Sequence, residues 1–213
     1  MQITHSYPSA KTLKIHEFQL TPPILILLLR LVKSFMQKIT IKDKTFAVNI
    51  SSDTIQNRIA ELALQIDADY KDKVPVFICV LSGAFLFAAD LIKRVSIDCE
   101  VSFIRVSSYS GTQSTGVVKS VVGIATELKN RHVVILEDIV DTGDTAVYLM
   151  DEIKKHSPAD VRFASLLLKP KALRHPVKVD YLGFEVPNDF LVGYGLDYDG
   201  LGRNYADIYK LSE

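Results

Sequence analysis

The stretch Val74-Pro75-Val76-Phe77-Ile78-Cys79-Val80-Leu81 constrains the fold more than any other in the chain. It has the length of a strand, and its apolar residues follow one another without polar alternation. A strand with one wet face alternates. An unbroken apolar run needs cover on both faces, which is the situation of a strand inside a parallel sheet. Ser82-Gly83 breaks the run, and Ala84 to Arg94 reads as a buried helix, so the unit is strand, turn, helix.

The same grammar recurs along the chain. From Asp53 the pattern is helical: Asp53 and Gln56 have capping-box spacing, and Ile55, Ile59, Leu62, Ala63 and Ile66 share one face. Cys99 to Ser107 is a further strand, and His132 to Leu136 is a third buried one. A helix follows with Ala146, Leu149, Met150 and Ile153 on one side, and Lys154-Lys155-His156 complements its C-terminal dipole. Val161 to Leu168 and Val179 to Phe184 supply more strands. Strands alternating with helices specify an α/β domain with a largely parallel sheet. Ser108 to Gly116 has almost no apolar content and reads as a polar loop.

Composition narrows the function classes. Lys plus Arg and Asp plus Glu each number 25, so no net field draws the protein to nucleic acid or to an anionic membrane. Any polyanionic ligand has to be held locally, by backbone amides, a few cations or a metal. The two cysteines, Cys79 and Cys99, both lie in apolar strand segments and read as buried free thiols, not as a disulfide scaffold. Residues 1–35 differ from the rest, with Pro22-Pro23 leading into Ile24-Leu25-Ile26-Leu27-Leu28-Leu29 before Arg30. That run is far short of the ~20 apolar residues needed to span a bilayer, and no small-residue cleavage site follows it. We read 1–35 as an accessory extension and 36–213 as one domain.

Residues 133 to 145, V-V-I-L-E-D-I-V-D-T-G-D-T, crowd Glu137, Asp138, Asp141 and Asp144 onto the end of a core strand. Ligands of open α/β sheets bind beyond the carboxyl ends of the strands. Thr142, Gly143, Asp144 and Thr145 lie between that strand and the next helix, where backbone amides and the helix dipole suit a phosphate. Glu137 and Asp138 suit vicinal hydroxyls or Mg²⁺, and Asp141 suits proton transfer. A ligand carrying a 5′-phosphate, a ribose diol and a metal-bound pyrophosphate satisfies every part. A plain acidic turn capping a helix is the structural alternative.

The whole pattern resembles the ribose-phosphate signature of type I phosphoribosyltransferases: a hydrophobic strand, two acids, two apolar residues, then D-T-G-x-T. Four more segments resemble the hypoxanthine-guanine branch of that family. Ser82-Gly83 falls where the family binds pyrophosphate, although Ser82 stands where a basic residue is frequent. Ser108-Tyr109 falls in the family's flexible active-site loop, with an exposed hairpin tip as the other reading. Lys169 in L-L-L-K-P-K matches the lysine that donates to the purine O6. In N-D-F-L-V-G-Y-G-L-D-Y-D-G-L-G-R-N, Phe190 matches the stacking aromatic and Leu191 the residue whose backbone reads the base edge. Asp197 matches a Mg²⁺ carboxylate, and Arg203 a pyrophosphate cation.

The resemblance, over roughly residues 40 to 211, implies a type I phosphoribosyltransferase fold with a small hood built from the N- and C-terminal parts. It implies transfer of phosphoribosyl from phosphoribosyl pyrophosphate to hypoxanthine or guanine in purine salvage. Asp141 would be the catalytic residue, and Mg²⁺ would lie near Glu137, Asp138 and Asp197. It further implies a cytoplasmic homo-oligomer, dimer or tetramer, without nucleic-acid or membrane partners. A xanthine-preferring enzyme and a non-catalytic nucleotide- or RNA-binding regulator are the alternatives.

Overall fold

The computed structural model describes residues 38–110, 113–124 and 126–212. The extension read over 1–35 lies outside the described residues. The chain runs β1 (Lys38–Ile41), β2 (Lys44–Ile50), α1 (Ser52–Asp69), β3 (Val76–Leu81), α2 (Phe85–Ile92), β4 (Glu100–Ser110) and β5 (Gln113–Val122). It continues through β6 (His132–Val140), α3 (Asp144–Lys154), β7 (Asp160–Leu168), β8 (Tyr181–Glu185), β9 (Leu191–Val192) and β10 (Ile208–Leu211). No helix among the described residues is long and apolar enough to cross a membrane.

The main sheet has the order β5-β4-β3-β6-β7-β8. Its five strands β4, β3, β6, β7 and β8 are parallel, and β5 adds an antiparallel edge. This explains the unalternating run of β3. Phe77 and Cys79 enter a core under α1 and α2, while Val76, Ile78 and Val80 enter a second core under α3. All five are at most 3% exposed, so neither face meets water. Burial pushes the Cys79 thiol up to about 12, as expected of an inert core cysteine. Cys99 is also free but only half-buried.

A second, four-stranded sheet has the order β1-β2-β10-β9 and is antiparallel throughout. It joins the start of the domain to its end, and Ile41, Phe46, Val192 and Tyr209 form its own small core. This is the hood that the family resemblance implies.

Four boundaries differ from the sequence reading. The helix over 52–69 is capped by Ser51, whose hydroxyl accepts from the Thr54 amide, so Asp53 sits in its first turn. Gln56 does not close a capping box; its amide donates to Asp90 at 2.7 Å. The helix expected over 84–94 spans only Phe85–Ile92. Ser108 and Tyr109 have strand backbone, pairing through Tyr109↔Ser114 and Ser110↔Gln113 in the β4–β5 hairpin. Their side chains and the 111–112 tip lie outside the described residues.

Candidate active site

The fourth difference matters most for function. The strand expected to end at Leu136 continues to Val140, pairing Glu137↔Ser165, Ile139↔Leu167 and Val140↔Leu168 with β7. Its pairing with β3 stops at Cys79↔Leu136. Glu137 and Asp138 therefore lie just past the last β3–β6 pair, where β3 runs on to Leu81 without pairing to them, and both line the gap between the two strands. A cavity of about 520 Å³ opens there, lined by Ser82, Gly83, Arg105, Glu137, Asp138, Thr145, Asp197 and Arg203 among others. Seven of the residues singled out from sequence thus converge on one hollow. Arg105 was missed; its register partner is Leu81, so the end of β4 delivers a guanidinium beside the Ser82-Gly83 turn.

The two carboxylates are electrostatically uncomfortable. Glu137 is buried, and its Oε2 has no hydrogen-bond partner. Burial, then the neighbouring Asp138 charge, holds the Glu137 carboxyl well above the usual carboxylate range. Burial also raises Asp138, against the stabilising hydrogen bonds it accepts, one of them from the Ile139 amide at 3.0 Å. A buried orphan oxygen beside a second raised carboxylate is a site built for something that supplies donors or positive charge. Ribose hydroxyls fit, and so does a hard divalent cation.

The expected metal trio is not a closed cage. Among the described residues no three carboxylate, imidazole or thiol groups gather round one point. Asp197 is held by Arg203 at 2.5 Å and by the Gly200 amide at 2.7 Å, so its carboxylate is engaged within its own loop. Glu137 and Asp138 alone remain as a two-carboxylate edge. That suits Mg²⁺, which keeps several waters and takes one or two carboxylates plus substrate phosphates. Arg203 also donates to the Gly195 carbonyl at 2.6 Å, which fixes its guanidinium at the cavity wall.

The Ser82-Gly83 turn is packed as tightly as a backbone allows. The Leu81-Ser82 peptide is cis. A Cβ on Gly83 would stand 1.7 Å from Oδ2 of Asp138, so only glycine lets the two share the cavity wall. Gly83→Ala is expected to displace Asp138, costing about 1–3 kcal/mol of stability by overpacking and roughly tenfold or more in turnover through misplacement. Thermal melts and steady-state assays of that variant check both effects; wild-type values would show that the contact is not used.

Beyond β6 and β7 two more groups meet. Because Val140 and Leu168 are register partners, Asp141 and Lys169 leave adjacent strand ends. The Lys169 amide donates to the Val140 carbonyl at 2.9 Å, and its Nζ donates to Asp141 Oδ2 at 2.8 Å. The Lys169 side chain is 9% exposed and the Asp141 side chain 47%, so the ammonium is buried and the carboxylate reaches outward. The residue read as proton handler and the residue read as O6 donor are bonded to each other.

Asp141, Thr142, Gly143 and Thr145 line a second cavity of about 70 Å³, on the scale of one phosphoryl group. Gly143 has φ +86° and precedes α3 without a cap of its own; the Asp144 amide makes a long 3.4 Å bond to the Thr142 hydroxyl oxygen, and the amides that follow it in the first turn are open to a ligand. The Asp144 side chain is engaged within the protein and not left free in the turn. Its Oδ2 accepts from the Thr142 hydroxyl at 3.0 Å, and it pairs with His175 at 3.1 Å and Arg174 at 3.5 Å. The Thr142 hydroxyl is thereby directed at Asp144, which leaves the Thr145 hydroxyl and the amides as the cradle's donors.

The residues expected from sequence to meet the base are not in the walls of these cavities. Phe190 is 45% exposed and is braced by Phe46 and, edge-on, by Tyr198 at 5.8 Å between ring centres. An exposed, backed aromatic plate suits stacking. Leu191 begins β9, the outer strand of the hood, so one row of its backbone groups is left outside the ladder. Phe190, Leu191 and Lys169 line neither cavity described above.

Known proteins match this geometry. The family described as phosphoribosyl transferase domain matches residues 51–199. The hypoxanthine-guanine phosphoribosyltransferase of Streptococcus thermophilus is 41% identical over 164 residues, 76% of this chain and 91% of that protein. The hypoxanthine-guanine-xanthine phosphoribosyltransferase of Tritrichomonas foetus is 38% identical over 179 residues, 84% of this chain and 98% of that one. Among solved structures, the hypoxanthine phosphoribosyltransferase of Trypanosoma cruzi in complex with the product IMP superposes with a TM-score of 0.74 at 35% identity. It covers 82% of this chain and 97% of its own.

Proposed function

The chain belongs to the phosphoribosyl transferase family, and we propose that it transfers 5-phosphoribosyl from phosphoribosyl pyrophosphate to N9 of hypoxanthine or guanine. The products are IMP or GMP and pyrophosphate. The observation that carries this reading is the juxtaposition, at the ends of β3 and β6, of a buried and a half-buried acid, the Gly83 turn and a phosphate-sized cavity. Each part answers one portion of the donor.

The amides at the start of α3 and the Thr145 hydroxyl take the 5′-phosphate. Glu137 and Asp138 accept from the ribose hydroxyls, which gives the orphan Glu137 Oε2 a donor. The Ser82 and Gly83 amides, with Arg203 and Arg105, take the pyrophosphate, and these two guanidiniums offset the missing side-chain cation at Ser82. Mg²⁺, held at Glu137 and Asp138 together with the donor, would neutralise the departing pyrophosphate. Phe190 stacks on the base, Leu191 presents backbone to its edge, and Lys169 donates to O6. Asp141 takes the proton the purine carries at N7. A cationic donor at O6 rejects adenine, which presents a donor there. Catalysis is mainly positioning and charge stabilisation.

Two further parts of the reading concern the whole molecule. Val101 and Phe103, on the α2-covered face of the sheet, stay 42% and 48% exposed on β4, which suits burial against a second copy in a homo-oligomer. A cytoplasmic location agrees with free thiols and with the absence of a spanning helix among the described residues.

Assay of adenine, guanine, hypoxanthine and xanthine with phosphoribosyl pyrophosphate and Mg²⁺ tests the proposal. Turnover of guanine or hypoxanthine with none of adenine is expected. Turnover of xanthine above both would replace the reading with that of a xanthine-preferring enzyme, and adenine turnover would remove Lys169 from base selection.

A further inference from the structure

The phosphate turn contains a residue that its proposed task does not explain. Asp144 places a carboxylate inside the segment that would bind a dianion, where like charge opposes the ligand. Yet of the six residues Asp141 to Ala146, Asp144 is the one absent from the wall of the 70 Å³ cavity. Its side chain is held elsewhere, by His175 Nε2 on Oδ1 and by Arg174 Nη1 and the Thr142 hydroxyl on Oδ2.

The segment that brings these two side chains is sewn to the turn independently of them. The Arg174 amide donates to the Thr142 carbonyl at 2.9 Å. A Cβ on Gly143 would stand 2.9 Å from Val177 and 3.4 Å from Leu173, so the same segment packs directly beneath the αL residue. Backbone and apolar contacts therefore fix the register, and the Arg174 guanidinium and the His175 imidazole are left to act on Asp144.

We propose that Arg174 and His175 are positioning residues for the phosphate turn. Together they hold the Asp144 carboxylate off the cavity, and Arg174 offsets its charge, so that the turn's amides and Thr145 face a 5′-phosphate without a competing anion. The proposal builds on the donor-binding assignment made above. It predicts that Arg174 and His175 matter only because Asp144 is acidic.

The test is a cycle of variants: Arg174→Gln with His175→Gln, made in the wild-type chain and again in an Asp144→Asn background. Affinity for phosphoribosyl pyrophosphate with Mg²⁺ is read by calorimetry, and kcat by nucleotide formation. In the wild-type chain the double substitution should weaken donor binding roughly 5- to 20-fold, as expected for an uncovered like charge near the ligand, with kcat within about twofold. In the Asp144→Asn background the same substitutions should change binding by less than about twofold, a non-additivity typical of direct partners. Equal weakening in both backgrounds would overturn the proposal, because the two side chains would then act on the phosphate themselves or on the fold. No weakening in either background, or a loss confined to kcat, would overturn it as well. Calorimetry needs no turnover, so failure of the proposed reaction and failure of this inference are told apart.

Discussion

Asp141→Ala is expected to lower kcat by about 10²–10⁴-fold, the span of a lost general acid or base, while donor affinity stays within about threefold. The expectation follows from position. Asp141 stands between the phosphate turn and the buried Lys169 ammonium, to which it is bonded at 2.8 Å. When a purine arrives, Lys169 is to donate to O6 and Asp141 to receive the N7 proton. The ion pair keeps both groups aimed at one place before the base is bound. The alanine variant also strips a partner from a lysine whose side chain is only 9% exposed. Because Asp141 itself is half exposed, that loss is about 1 kcal/mol and not the larger cost of opening a fully buried pair. Asp141→Asn separates the two effects, since its amide oxygen still accepts from Lys169 but takes no proton at neutral pH. It should match the alanine variant in kcat and the wild type in melting temperature. Wild-type turnover in the asparagine variant would take Asp141 out of proton transfer.

Glu137→Gln is expected to stabilise the unliganded protein at neutral pH while damaging its activity. Glu137 is raised well above its ordinary value of 4.5, first by burial and then by Asp138. A carboxyl whose folded pKa is raised keeps its proton in the folded chain at pH values where the unfolded chain has lost it. Stability from this group is thus complete below about pH 4.5 and falls as pH rises through the elevated folded value. Glutamine copies the protonated form and removes that penalty. Melting curves from pH 4 to 8 should show the variant above the wild type at neutral pH, by about 2–4 °C per kcal/mol for a domain of this size. The gap should close on acidification. Turnover should drop roughly 10- to 100-fold, from the ~1.5–3 kcal/mol of a charge-assisted hydrogen bond to ribose. A more stable, less active variant is the mark of a site kept uncomfortable for its ligand. A lower melting temperature at neutral pH would contradict the account.

The parts of the fold that sequence announced are those set by local pattern. The unbroken run of β3 meant a strand covered on both faces, and the stripe Ile55, Ile59, Leu62, Ala63, Ile66 meant a buried helix face. Misreadings came where a neighbour decides the outcome. Glu137 to Val140 reads as polar turn but is strand, because β7 runs on beside it. The polar stretch after Ser107 reads as loop, yet β4 and β5 pair there through register contacts that composition does not encode. In the site, the acids and the Gly-containing turns were visible as residue types in order. Their partners were not. Lys169 meets Asp141 through strand register, Arg105 reaches the cavity as the partner of Leu81, and Asp144 is turned aside by residues thirty positions on. Spacing along a chain names candidates, and only the sheet says which of them touch.

Transfer, not binding alone, distinguishes this enzyme from a nucleotide-binding protein, and pyrophosphate release measures it most directly. With phosphoribosyl pyrophosphate and Mg²⁺ present, release should be slow without a base and rise sharply on adding guanine or hypoxanthine, one pyrophosphate for each nucleotide formed. Release that is independent of the base, or tight nucleotide binding with no pyrophosphate at all, would contradict the account.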